Sequence, residues 1–99
     1  MIEVILINEI GKIEPGQWYA SLSMFPSQCY RWEKKDGVDY ILYLRWRWDD
    51  PWQAHIIKGA DSIEAMQDGE WSDNLFTQDY FTHDDYKKAQ DKLVEIFGL

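Results

Sequence analysis

His83-Asp84-Asp85 sets an imidazole beside two carboxylates, the donor types of a divalent-cation site. On a helix, however, successive side chains diverge by about 100°, so three adjacent residues do not converge on one ion. Thr82 in front of the triplet, with acids in the turn behind it, describes a capped helix start whose carboxylates meet the helix dipole. The other histidine, His55, falls in a strand pattern on the face opposite Trp52, Ala54 and Ile56. No metal site is expected.

Cys29 is the single cysteine, which excludes an internal disulfide and a cysteine-based zinc site. A nucleophilic thiolate needs a base or a helix N-terminus nearby, whereas Cys29 sits mid-strand beside Arg31. It reads as a small packed hydrophobe, and a lone thiol suits a reducing, cytoplasmic setting. The six glycines are scattered singly, so no phosphate-cradling loop occurs. Eighteen acids make carboxylate pairs abundant by chance, but a chain of 99 residues offers no deep cleft for glycosidase chemistry. The expectation is a protein that is not an enzyme and holds no cofactor.

Charge is more telling than any motif. Residues 1–48 hold six acids and six Lys or Arg, while residues 49–99 hold twelve acids against Lys58, Lys87, Lys88 and Lys92. The whole formal charge of −8 therefore lies in the second half, a field that attracts basic partners and repels nucleic acid. Asp73, Asp79, Asp84, Asp85 and Asp91 are the candidate partner-binding acids, with Trp71, Tyr80 and Phe81 as desolvated anchors. The partner expected is a protein with a basic surface, as for an inhibitor or an immunity-type protein that occupies a nucleic-acid-binding site. A second reading is a structural or assembly subunit, a homo-oligomer joined through a sheet face bearing Tyr43, Arg45 and Arg47 opposite Tyr19 or His55. Against it stands the simpler expectation that the arginines pair with acids such as Glu33 across the sheet. Among the tryptophans, Trp46 and Trp48 fall on a core face, while Trp52 and Trp71 at element ends are expected to be partly exposed.

These side chains need a scaffold, and 99 residues with 45% apolar content suffice for one domain with one core. Residues 2–10 are rich in β-branched residues and continuously apolar in the middle, and 18–24, 28–34, 39–48 and 52–58 alternate with period two, so each reads as a strand. Asp36-Gly37 is a strong hairpin signal between the third and fourth. Asp61 with Glu64 resembles a capping box for a short helix near 62–68, stopped by Gly69. Residues 70–81 lack a period and read as a loop pinned by Trp71, Leu75, Phe76, Tyr80 and Phe81. From Thr82 to Gly98, Tyr86, Ala89, Leu93, Ile96 and Phe97 recur at helical spacing. The fold expected is α+β: a four- to five-stranded antiparallel meander with the C-terminal helix packed on one face. No apolar run is long enough to span a membrane, and the opening residues lack the basic start of a signal peptide.

Overall fold

The computed structural model describes residues 4–7, 13–47, 51–77 and 80–98. In chain order the strands are β1 (Ile5–Ile7), β2 (Trp18–Ser21), β3 (Gln28–Lys35), β4 (Val38–Arg45), β5 (Gln53–Lys58) and β6 (Glu70–Trp71). A 3-10 turn (Glu64–Asp68) lies between β5 and β6, and a second one (His83–Asp85) leads into helix α1 (Tyr86–Phe97). The sheet order follows the chain order, and every pairing is antiparallel except that of β1 with β2.

The α+β meander with one C-terminal helix is therefore what the chain forms, with six strands rather than four or five. The sixth, β6, lies in the stretch that lacks periodicity, because two residues are too few to show a period. Asp36 and Gly37 have φ values of 53° and 78°, the positive pair that a two-residue primed turn requires. That turn sets the register from Lys35↔Val38 to Gln28↔Arg45. The second strand stops at Ser21, three residues short of its alternating pattern, where turn residues 22–27 begin.

One sheet face packs Trp18, Ala20, Cys29, Leu42, Leu44 and Ala54 against Ala89, Leu93 and Phe97 of α1. Leu93 is fully buried, a contribution of about 1.5–3 kcal/mol for a side chain of that size. Ile96, at helical spacing with these residues, stays 39% exposed because the sheet lies under the 89/93/97 stripe.

The opposite face is also covered, contrary to the solvated outer face that the alternation of β4 suggests. Tyr19, Ile41, Tyr43 and Ile57 pack beneath Ile13, Ala60 and Met66. β1 and β2 are parallel, so no tight hairpin joins them, and Ile13, ahead of β2, packs over this face. The segment between β5 and β6 lays Ala60 and Met66 alongside.

Helix α1 is stopped as its sequence predicts. Gly98 adopts φ 87°, and its N–H donates to the carbonyls of Val94 and Glu95. At the start, the Thr82 N–H and hydroxyl donate to Asp85 Oδ2 at 3.1 and 2.9 Å. These two bonds, with help from Lys88, hold the Asp85 carboxyl below its ordinary value of 3.8. A depressed carboxyl pKa stabilises the folded state above the unfolded value and loses that contribution as pH falls through the folded one. Amide protection factors in the first turn of α1 should therefore fall as pH drops below 3.8. Thr82→Ala should move the Asp85 titration, followed by carboxyl NMR, back up toward that ordinary value; an unmoved titration would assign the shift elsewhere.

Among the described residues, no helix is long and apolar enough to cross a membrane.

Candidate functional site

The acids of the C-terminal helix do not form an acidic surface. From Asp84 to Glu95, the four acids Asp84, Asp85, Asp91 and Glu95 face the three lysines Lys87, Lys88 and Lys92, which leaves a single net charge. Lys88 Nζ stands 3.8 Å from Asp85, and Lys92 Nζ stands 3.9 Å from Glu95, each one helical turn away. Asp84 and Asp91 are exposed beside them.

The unbalanced charge lies elsewhere. Residues 61–73 carry Asp61, Glu64, Asp68, Glu70 and Asp73 with no Lys or Arg among them. All five side chains are exposed. Among the described residues none is in an ion pair, although Lys58 stands opposite Glu70 in the β5–β6 register. Of the five, only Asp73 was singled out by sequence as a contact residue. A count of lysines in each element would have identified the others, since α1 carries lysines to match its acids and this segment does not.

The acidic edge is held by apolar and backbone contacts rather than by its charges. Met66 and Ala60 are buried in the second core, and the expected Asp61 cap does not form: the N-cap is Ile63, without a side-chain cap bond, while Ser62 Oγ accepts the Ala65 N–H at 3.1 Å. Gly69 ends it as expected, for a steric reason: a Cβ there would collide with the Ile57 Cγ2 methyl and lie 3.1 Å from the Lys58 carbonyl oxygen. Trp71 then turns its indole back over the sheet, where Nε1 donates to the Met66 carbonyl at 2.7 Å. Its ring packs edge-on against Tyr43 at 5.6 Å and against His55 at 5.5 Å. Fixed in this way it remains 43% exposed between Glu70 and Asp73.

Beyond β6 the chain still follows β5, but side chains take the place of the backbone ladder. Ser72 Oγ accepts the Ile56 N–H at 2.9 Å, and Asn74 Oδ1 accepts the Ala54 N–H at 3.0 Å and the Phe76 N–H at 3.1 Å. The Leu75 N–H donates to the Ala54 carbonyl in return. The apolar residues expected to pin this stretch thus have two polar partners that composition does not reveal.

Tyr80 and Phe81 do not join Trp71. The Phe81 carbonyl accepts the Trp52 N–H at the start of β5, five residues along the strand from Ile57, the register partner of Trp71. At the usual rise this is roughly 17 Å. Phe81 is half-buried against Phe76, and Tyr80 is 77% exposed. Asp79 lies outside the described residues.

The alternative contact set is split by burial. Tyr43 is 8% exposed, stacked on Tyr30 at 5.1 Å and aligned with His55 across β5, so it belongs to the second core. Burial raises its pKa against the pull of Arg45 and Arg47, and burial carries Tyr30 up to about 12. Arg45 is half-buried, donating to Gln53 Oε1 at 3.2 Å, and Arg47 is exposed. Arg31 is on the helix-bearing face, over Trp18, and is bound at 2.7 Å to Glu33 of its own strand, so the expected pairing of Arg45 and Arg47 with acids across the sheet is not what forms among the described residues.

The groups that could do chemistry have structural posts. Cys29 is buried, accepts a bond from Gln90 Nε2 and is pushed up to about 11 by burial, which leaves it unreactive at neutral pH. His83 stacks on Trp52, with an interplanar angle of 4°, and its Nε2 lies 3.3 Å from Ser27 Oγ. Trp52 itself is fully buried, not partly exposed, because the 81–83 segment closes over it. His55 Nδ1 donates to the Ser72 carbonyl at 3.0 Å. No cluster of three or more His, Cys, Asp or Glu suited to a metal ion occurs among the described residues. Comparison of the chain with protein-family models, curated proteins and solved structures finds no match.

Proposed function

We propose that this protein is a non-enzymatic binding module that docks its acidic edge, residues 61–73, on the basic surface of a protein partner. One observation carries the reading: five exposed acids of residues 61–73, in no ion pair among the described residues, share a segment with a half-exposed tryptophan held by its Nε1 bond and two ring contacts. Unpaired carboxylates keep their field, so they steer a basic partner over a distance and lose no existing salt bridge on contact. Trp71 supplies apolar area at low entropic cost, since its two ring contacts and its Nε1 bond already fix its rotamer. A partner surface built to bind nucleic acid has the complementary chemistry, which makes inhibition of such a site the activity that fits.

The test begins with capture from the native host lysate at low and then high salt. A stoichiometric basic partner that elutes as salt rises is the expected result. With that partner in hand, Glu64→Lys/Asp68→Lys/Glu70→Lys should lower the association rate at least tenfold at low ionic strength. Asp84→Lys/Asp91→Lys, on the balanced helix, should change it less than threefold. Equal effects of the two sets, or a rate indifferent to both, would overturn the reading.

A further inference from the structure

Among the described residues, the cover over the sheet face opposite α1 thins toward the end that carries Arg45. Met66 and Ala65 of the 64–68 turn pack with Ile41 and Ile57, which raises the turn above the sheet at that end, and its Glu64 and Asp68 are exposed. Four residues further along β4, the cross-strand row Gln28–Arg45–Gln53 is half-exposed, and Arg47 beyond it is exposed. Among the described residues this end carries no carboxylate, and Arg47 is in no ion pair. Asp49 and Asp50, which follow in sequence, lie outside the described residues. One face thus presents a raised acidic end and a lower basic end about 13 Å apart, both centred on β4 and β5.

We infer that this face is the interface of a two-fold dimer, in which Arg45 and Arg47 of one copy meet Glu64 and Asp68 of the second. The geometry follows from where the two ends lie. A two-fold axis in the plane of contact, running across the strands near the Tyr43–His55 row, reverses the strand direction and keeps the lateral position. It therefore sets the raised turn of each copy onto the low end of the other, so that steps and charges match twice in a closed, isologous contact. The −8 charge of each copy opposes approach, but beyond about 8 Å that repulsion is screened at physiological ionic strength. Contact pairs then decide the outcome, and each is weak where solvent reaches it. The dimer is accordingly a reversible one. It would cover the acidic edge assigned above to a foreign partner, so self-association and partner binding exclude one another. The inference rests on the charge and shape of that edge and not on the partner's existence.

Sedimentation velocity over a range of concentrations tests it on the intact chain. The expected result is a concentration-dependent rise from the 11.9 kDa monomer to twice that mass. Arg45→Glu/Arg47→Glu and Glu64→Arg/Asp68→Arg should each weaken the dimer at least tenfold, and all four changes in one chain should restore it. Arg47→Glu alone, at an exposed position, should weaken it in the same direction and guards against misfolding caused by the half-buried Arg45. A wild-type chain that stays monomeric at millimolar concentration overturns the inference. So does a dimer that survives both charge reversals, or one that the combined swap does not restore. None of these outcomes bears on capture of a foreign partner, so the two proposals fail separately.

Discussion

Trp52→Ala should remove about 3–5 kcal/mol of folding stability, the usual cost of deleting a large ring from a packed core. Single domains hold about 5–15 kcal/mol in all, so this variant should sit near the edge of folding. The reason lies in what the ring touches. Trp52 has no exposed surface, lies 6.0 Å from the Trp46 ring and is stacked under His83, joining β5 to the entry of α1. Trp52→Phe should be far milder, within about 2 kcal/mol of wild type. The buried Nε1–H has no acceptor among the described residues, so its loss forfeits no bond. Urea unfolding followed by far-ultraviolet circular dichroism would measure both. If Phe proved as damaging as Ala, an acceptor for the indole N–H would have to exist.

Asn74→Ala should cost about 2–4 kcal/mol, since it leaves two buried N–H groups, those of Ala54 and Phe76, without an acceptor. Asn74→Asp keeps the accepting oxygen and should stay close to wild type at neutral pH. Amide exchange adds a local readout: in the alanine variant the Ala54 and Phe76 amides should lose protection before those of β3. Unchanged protection at both sites would mean that the 72–76 stretch is held by its apolar residues alone. The consequence reaches function, because this stretch continues directly from Trp71 and supports the half-exposed ring between Glu70 and Asp73. A loosened stretch would cost the proposed anchor its rigidity and slow any binding that depends on it.

The regular elements were legible because local rules govern them. Period-two alternation marked β2 to β5, Asp36-Gly37 marked the hairpin, and Thr82, Asp85 and Gly98 marked both ends of α1. Where local rules are weak, reading from sequence went astray. The two-residue β6 has no period, and the 64–68 turn starts at Ile63 without a side-chain cap although Asp61 and Glu64 fit the capping motif. Tyr43 shows a related ambiguity. A strand that alternates large apolar residues with Tyr and Arg suits either a solvated face or a second core, and only a covering segment decides between them.

For the candidate site the division is sharper. Sequence alone determined that the chain is strongly acidic, that the acids crowd into its second half, and that it has neither a disulfide nor a phosphate loop. Each is a property of composition or of near neighbours. The tertiary structure decided which acids matter. Lys88 and Lys92 sit one turn from Asp85 and Glu95 and balance the helix, whereas among the described residues no base lies within ion-pair distance of Asp61, Glu64, Asp68, Glu70 or Asp73. It also separated Trp71 from Phe81 by the length of β5 and buried Tyr43 against Tyr30, His55 and Trp71 while leaving Arg47 in solvent. The physical reason is range. Propensity, capping and alternation act over a few residues, but ion pairing and burial depend on which distant segment folds over which face, and that is settled only when the whole chain packs.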